Sequence, residues 1–250
     1  MVGASSRFDP KSRPKTYPST PRAHGTNEGY DVEESAREKV IRLLAQVPSG
    51  QVRTYPSGSI LFIEGDDSYR VFVIRSGAVK LTKSASSGRE VLIDVEGAGS
   101  LIGELGAIDG EPRSTNAVVI QNAEIQTISA QDFKELLRSS GELSYALLRL
   151  VTERLRGAGN RQLEMGASNA LTRVASRLVE LLDRESGKSS GPVTIMNSLN
   201  QQELAEWSGL SRDAVVKALR TMRQLGWINT SRNSITVAEV GELRSRAAQT

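Results

Sequence analysis

Between Val52 and Ile128 the chain is cut into short runs of β-forming residues, and no other feature restricts its possible folds as strongly. The runs are Ile60–Ile63, Val71–Ile74, Val79–Leu81, Val91–Ile93, Ala117–Ile120 and Ile125–Ile128, each three or four residues long. Between them stand Glu64-Gly65-Asp66-Asp67, Ser76-Gly77, Ser86-Ser87-Gly88 and Gly97-Ala98-Gly99, with Pro56-Ser57-Gly58 before the first. Short strands at regular spacing with glycine-rich turns predict an antiparallel barrel or jelly roll.

The flanking texture is helical. Val40, Ile41, Leu43, Leu44 and Val47 make an apolar face that stops at Pro48. Ser129 is an N-cap candidate with Asp132 three residues on. Behind it Phe133, Leu136 and Leu137 lead to Leu143, Leu147, Leu150, Val151 and Leu155, the narrow seam of a pairing helix. Gly157-Ala158-Gly159 then interrupts the pattern, at about 1 kcal/mol per interior glycine relative to alanine. That is either a break or hinge, or a place where a partner backbone or a ligand comes close. Leu171, Val174, Leu178, Leu181 and Leu182 form a further amphipathic helix, and Val193–Ile195 a short strand. Residues 1–32 read as a disordered basic tail: over the first 30, Arg7, Lys11, Arg13, Lys15 and Arg22 lie among four prolines and are opposed only by Asp9 and Glu28.

Composition removes several chemistries. With no Cys among 250 residues, disulfides, iron–sulfur clusters and thiolate zinc sites are excluded. The one His, His24, lies in the tail, so a His-based metal, haem or triad site is not expected. No Walker loop, dinucleotide fingerprint or nucleophile constellation is present, and no enzyme is expected. The net charge of +3 permits a polyanionic partner without requiring one. No apolar run reaches the roughly 18–20 residues of a membrane span, and the N-terminus has no apolar h-region. A cytoplasmic protein without membrane contact is expected.

The strongest local signal is C-terminal. Asn200 and Glu203 make a capping box, and a helix runs over Gln201–Ser208 to a turn at Gly209. Ser211 caps a second helix carrying Val215, Ala218, Leu219, Met222 and Leu225. Ala205 lets the helices approach, Gly209 allows the tight turn and Val215 fills the corner, which together satisfy a helix-turn-helix. Ser211, Arg212, Asp213, Val216 and Lys217 then stand at the outward start of the second helix, where base edges are read. Trp227–Thr230 and Ser234–Val237 form a hairpin wing, with Arg232 at its tip near the phosphates.

In the β region, a turn opened by Gly103 presents backbone N–H groups to a phosphate. Arg113 can neutralise that phosphate, Ser114 donate to it, and Glu104 accept from a ribose hydroxyl. Alternatively, Glu104 and Arg113 are a surface ion pair worth under about 1 kcal/mol.

From about Gln51 to Val237 the chain resembles the CRP/FNR family of bacterial transcription regulators. The resemblance rests on Tyr55-Pro56-Ser57-Gly58, Gly77-Ala78-Val79, Gly103-Glu104-Leu105-Gly106, Arg113-Ser114 and the Gln202-Glu203…Gly209-Leu210-Ser211-Arg212-Asp213-Ala214-Val215 segment. It implies an α+β fold: a cyclic-nucleotide-binding-type β-roll (33–130), a dimerisation helix with a hinge (131–168) and a winged helix-turn-helix (169–250). It implies a homodimer that binds a palindromic DNA operator, responds to cAMP or cGMP and works with RNA polymerase. Gly103 and Glu104 fall at the ribose side and Arg113 and Ser114 at the cyclic phosphate; Leu105 and Thr115 are ligand-binding candidates beside them, Thr115 in place of the usual alanine. Arg154 matches an arginine that supports the glutamate. Ala158 and Gly159 replace the Thr-Ser pair that reads adenine in cAMP-responsive members, one of the two acting across the dimer. Losing two hydrogen bonds of about 0.5–1.5 kcal/mol each weakens binding roughly ten- to a hundredfold. Arg212, Asp213 and Lys217 stand where readers of TGTGA-type half-sites carry Arg, Glu and Arg, which implies a related operator of altered preference. A constitutive regulator with a vestigial cassette is the alternative.

Overall fold

The computed structural model describes residues 34–47, 50–85, 88, 90–186, 192–196, 199–231 and 234–249. The basic tail with His24 lies outside the described residues, as does Pro48. The described part is α+β throughout.

Six strands form one antiparallel sheet: β1 (Gln51–Tyr55), β2 (Ile60–Phe62), β3 (Arg70–Ser84), β4 (Glu90–Gly97), β5 (Ser100–Ile102) and β6 (Asn116–Ser129). The order is β1-β6-β3-β4, with β2 also on β6 and β5 also on β3. Here the sequence expectation needs correction. Val71–Ile74 and Val79–Leu81 are one strand of 15 residues, and Ala117–Ile120 and Ile125–Ile128 one of 14. Ser76-Gly77 looked like a turn but is a bulged stretch, where the β3–β6 register shifts between Ile74 and Val79. A bulge bends a strand without ending it and carries the same glycine and serine signals as a turn. The curved sheet encloses Phe62, Phe72, Ile74, Val79, Ile102, Val119 and Ile125.

A second core lies between the sheet and the helices around it. Val40 and Leu44 of α1 (Ala36–Ala45) and Phe133 of α3 (Ala130–Ser139) meet Val71, Val73, Leu101 and Ile128. Leu143, Ala146, Leu147 and Leu150 come from the start of α4 (Gly141–Ala167). Ser129 caps α3, its side chain accepting from the Asp132 N–H as expected.

The glycine interruption does not occur: α4 is one continuous helix of 27 residues through Gly157-Ala158-Gly159. Two glycines cost about 2 kcal/mol at most against alanine, which packing of the helix outweighs. A Cβ at Gly159 would meet nothing within 4 Å in this chain. Nothing among the described residues therefore requires glycine there.

The C-terminal part contains α5 (Ala170–Ser186), β7 (Val193–Met196), α6 (Gln201–Ser208), α7 (Arg212–Gln224), β8 (Ile228–Thr230), β9 (Ser234–Val237) and α8 (Val240–Ala247). Its three strands pair in the order β7-β9-β8. Its core joins Val174, Leu178 and Leu182 of α5 to Leu204, Trp207, Val215, Met222 and Ile235, and it takes in Leu92 and Val95 of β4. The β-roll and the winged helix thus share one apolar seam. Among the described residues no helix is long and apolar enough to cross a membrane.

Candidate functional site

A cavity of about 470 Å³ opens between the β-roll and α4. Its wall includes Gly103, Glu104, Leu105, Arg113, Ser114, Thr115, Arg154 and Ala158, which the structure brings together from three separate stretches of sequence. Gly159 does not line it and faces outward from α4. Phe62, Lys83, Asp94, Glu96 and Arg161 also line the cavity and were not singled out from the sequence.

Gly103 has φ +74°, a left-handed conformation that side chains disfavour, and it starts the short helix α2 (Glu104–Asp109). A Cβ there would run into the Arg113 guanidinium. Glu104 is buried, and Arg154 donates from Nη1 to its Oε1 at 2.5 Å. The ion-pair alternative is therefore corrected: the partner of Glu104 is Arg154, and the pair is internal rather than on the surface. Arg113 lies 4.4 Å over the Phe62 ring and donates to the Gly103 carbonyl at 2.7 Å and the Arg70 carbonyl at 2.6 Å. Its Nε is buried without a hydrogen-bond partner among the described residues. Burial followed by the weaker pull of Asp66 and Glu104 leaves its pKa below the ordinary arginine value. An arginine so poorly neutralised is suited to accept an anion.

Behind these residues Glu96 anchors the wall. It is buried and accepts from Arg37 at 2.7 Å, Arg154 at 3.1 Å and Ser100 at 2.7 Å. Burial pushes its pKa up, but Arg154, Arg184 and Arg37 outweigh that and hold it below the usual carboxylate value. Glu104 ends the other way, raised by burial that Arg154 offsets only in part. Glu96 escaped the sequence reading because its partners lie 59 and 58 residues away. The only local hint is a carboxylate inside an apolar strand run.

At the other end of the chain, Asn200 accepts from the Gln202 and Glu203 N–H groups and Glu203 completes the capping box. Gly209 has φ +62°, which closes the turn, and Ala205 and Val215 are buried. Ser211 caps α7 by accepting from the Ala214 N–H. Arg212, Asp213, Val216 and Lys217 all face outward. A cleft of about 550 Å³ runs beside them, bordered by Arg212, Val216, Arg223 and Thr230. Arg232 lies outside the described residues.

Comparison with known proteins places both halves in one class. Residues 52–140 match the cyclic nucleotide-binding domain family, and residues 172–246 the Crp-like helix-turn-helix domain family. Proteins built from these two parts are DNA-binding transcription regulators, a class without enzymatic activity. The chain is 31% identical over 193 residues to a CRP-like cAMP-activated global transcriptional regulator of Mycobacterium tuberculosis, covering 77% of this chain and 86% of the relative. It is 28% identical to the cyclic AMP receptor protein of Thermus thermophilus, covering 79% and 88%. The fold is shared with FixK2 from Bradyrhizobium japonicum, at TM-score 0.70 and 19% identity over 80% of this chain and 98% of that one. The chain belongs to the CRP/FNR family of transcription regulators.

Proposed function

We propose that the protein is a homodimeric, sequence-specific DNA-binding regulator whose operator affinity is set by a cyclic nucleotide, cAMP or cGMP, held in the β-roll cavity. The observation that carries this reading is the convergence of Gly103–Leu105, Arg113–Thr115 and Arg154 on one cavity, with a buried, unpartnered Arg113 Nε among them. Gly103, Glu104 and Leu105 would hold the ribose, and Arg113, Ser114 and Thr115 the cyclic phosphate, while Arg154 keeps Glu104 in place. When bound, the nucleotide supplies the negative charge that Arg113 lacks. One relative named as cAMP-activated and another named as a cyclic AMP receptor protein support the ligand class.

The dimer reading rests on α4. Tyr145, Leu148, Thr152, Leu155 and Gly159 recur at heptad spacing, and all are exposed in the single chain. A glycine at such a position lets a partner helix approach closely. Two copies would present two α7 helices to successive major grooves about 34 Å apart on a palindromic operator. The residues facing the DNA would be Ser211, Arg212, Asp213, Val216 and Lys217, with Arg232 on the wing. Contact with RNA polymerase and a cytoplasmic setting belong to the same reading, as does the division at 33–130, 131–168 and 169–250.

Calorimetric titration with cAMP and cGMP tests the cavity. Micromolar binding is expected in the wild type and no measurable heat in Arg113→Leu. Silence from both nucleotides in the wild type would favour the constitutive alternative. For the DNA face, Arg212→Ala should weaken operator binding by about 1–3 kcal/mol, roughly 5- to 150-fold, with the dimer intact by sedimentation. Unchanged operator affinity would sink the recognition-helix assignment.

A further inference from the structure

The cavity wall carries two ionic rungs, and only one of them belongs to the ribose–phosphate end. In the first, Glu96 of β4 and Glu104 hold Arg154 of α4 at 3.1 and 2.5 Å. The second stands two residues back along the same face of β4 and seven residues on along α4. There Asp94 faces Arg161, with Oδ2 to Nη2 at 4.0 Å. At 1.5 Å rise per residue, Arg161 lies roughly 10 Å beyond Arg154 along the helix. Ala158, between them, offers a methyl group and no donor.

The second rung has unused bonding capacity. Asp94 Oδ1 accepts from Arg184 Nη2 at 2.7 Å and from the Val95 N–H at 2.8 Å. Among the described residues, Oδ2 has only the long contact to Arg161. Arg161 makes no hydrogen bond among the described residues; its other neighbour is Glu180 at 3.7 Å. A carboxylate lone pair and a guanidinium fork therefore stand side by side, both lining the cavity.

We infer that Asp94 and Arg161 read the base of the bound nucleotide and select guanine over adenine. This rests on the cyclic-nucleotide reading given above. Guanine offers O6 and N7 as adjacent acceptors, which fit an arginine fork, and then the N1–H donor, which fits a carboxylate. Adenine keeps N7 but puts an amino donor where guanine has O6, so one arginine N–H would meet another donor. A buried donor left unsatisfied weighs more than a missing contact. Selectivity thus moves from the hydroxyl pair that residues 158 and 159 lack to a charged pair one turn on.

The test is calorimetry on the full-length protein with cGMP and with cAMP. The wild type should bind cGMP at least about tenfold more tightly than cAMP. Arg161→Met should bring that ratio close to one, mainly by weakening cGMP. Asp94→Asn, which keeps an oxygen for Arg184, should also lower the ratio by presenting a donor to N1–H. Should Asp94→Asn fail to fold, Arg161→Met decides, because it leaves the Asp94–Arg184 bond intact. Equal affinities, tighter cAMP, or a ratio unmoved by Arg161→Met would overturn the base reading and leave the cyclic-nucleotide function standing. No binding of either nucleotide to the wild type would overturn both.

Discussion

Two buried glutamates share one arginine yet are driven in opposite directions, and the number of cations around each explains it. Glu96 has Arg37 and Arg154 within 3.1 Å and Arg184 nearby, enough to overcome burial. Glu104 has Arg154 as its ion-pair partner and Arg113 only at longer range, and burial prevails. The sign follows for stability. Glu96, held below its ordinary value near 4.5, stabilises the fold above that pH, and the contribution is lost as pH falls through its folded value. Glu104, held above 4.5, favours the fold most fully in acid, and that contribution is lost as pH rises through its folded value. Glu96→Gln keeps the shape and removes the charge, leaving Arg37 and Arg154 partly unneutralised. It should cost about 3 kcal/mol at pH 7, the lower end for a broken buried ionic site, since both arginines keep some hydration. The loss relative to wild type should shrink as pH falls below 4.5. A difference in Tm that stays constant between pH 7 and pH 4 would show that Glu96 acts by packing alone.

At the scale of elements, what was legible in the sequence was whatever is decided locally. Asn200 and Glu203 sit within one turn of each other, so the start of α6 follows from chemistry three residues wide. Asn200→Ala removes the acceptor for two N–H groups and should cost about 1 kcal/mol, a drop in Tm of roughly 2–4 °C by thermal melting. A variant melting with the wild type would mean that another group takes over those donors. The same locality explains Ser129, Gly209 and Ser211, and the outward set from Arg212 to Lys217. It also explains the failures. Ser76-Gly77 carries turn chemistry, yet β6 pairs with β3 on through it, while β5 pairs up to Ile74 and β4 from Ala78. Gly157 and Gly159 weaken a helix locally, yet α4 continues past them. In the cavity, Gly103-Glu104 and Arg113-Ser114 were visible as motifs, whereas Asp94, Glu96 and Arg161 were not. Their partners are set by how β4, α1, α4 and α5 pack, and no spacing in the sequence encodes that.

For the whole molecule, the question is how a nucleotide in the β-roll reaches the winged helix. The shared apolar seam through Leu92 and Val95 joins the two parts, but its residues do not line the cavity. The charged route does. Asp94 lines the cavity and holds Arg184 of α5 at 2.7 Å, and Arg184 lies 5.7 Å from the Trp207 ring of α6. Arg177 stands over the same ring at 5.6 Å, so the first helix of the helix-turn-helix is clasped by two guanidinium groups of α5. Lys80 of β3 adds a second tie, 2.7 Å from the Glu203 that caps α6. A ligand that draws on Asp94 Oδ2 competes for the carboxylate charge that holds Arg184 at Oδ1, and so acts through Arg184 on the seat of α6. Arg184→Lys keeps the charge but loses the planar fork that spans Asp94 and Trp207. Nucleotide affinity should then stay within about threefold of wild type by calorimetry. The gain in operator affinity on adding nucleotide, expected at about 5- to 150-fold for an ordinary coupling free energy, should fall toward one. The comparison is made by fluorescence anisotropy on labelled operator, with and without saturating nucleotide. A gain equal to that of the wild type would show that the signal travels through the apolar seam or across a dimer instead of through Asp94 and Arg184.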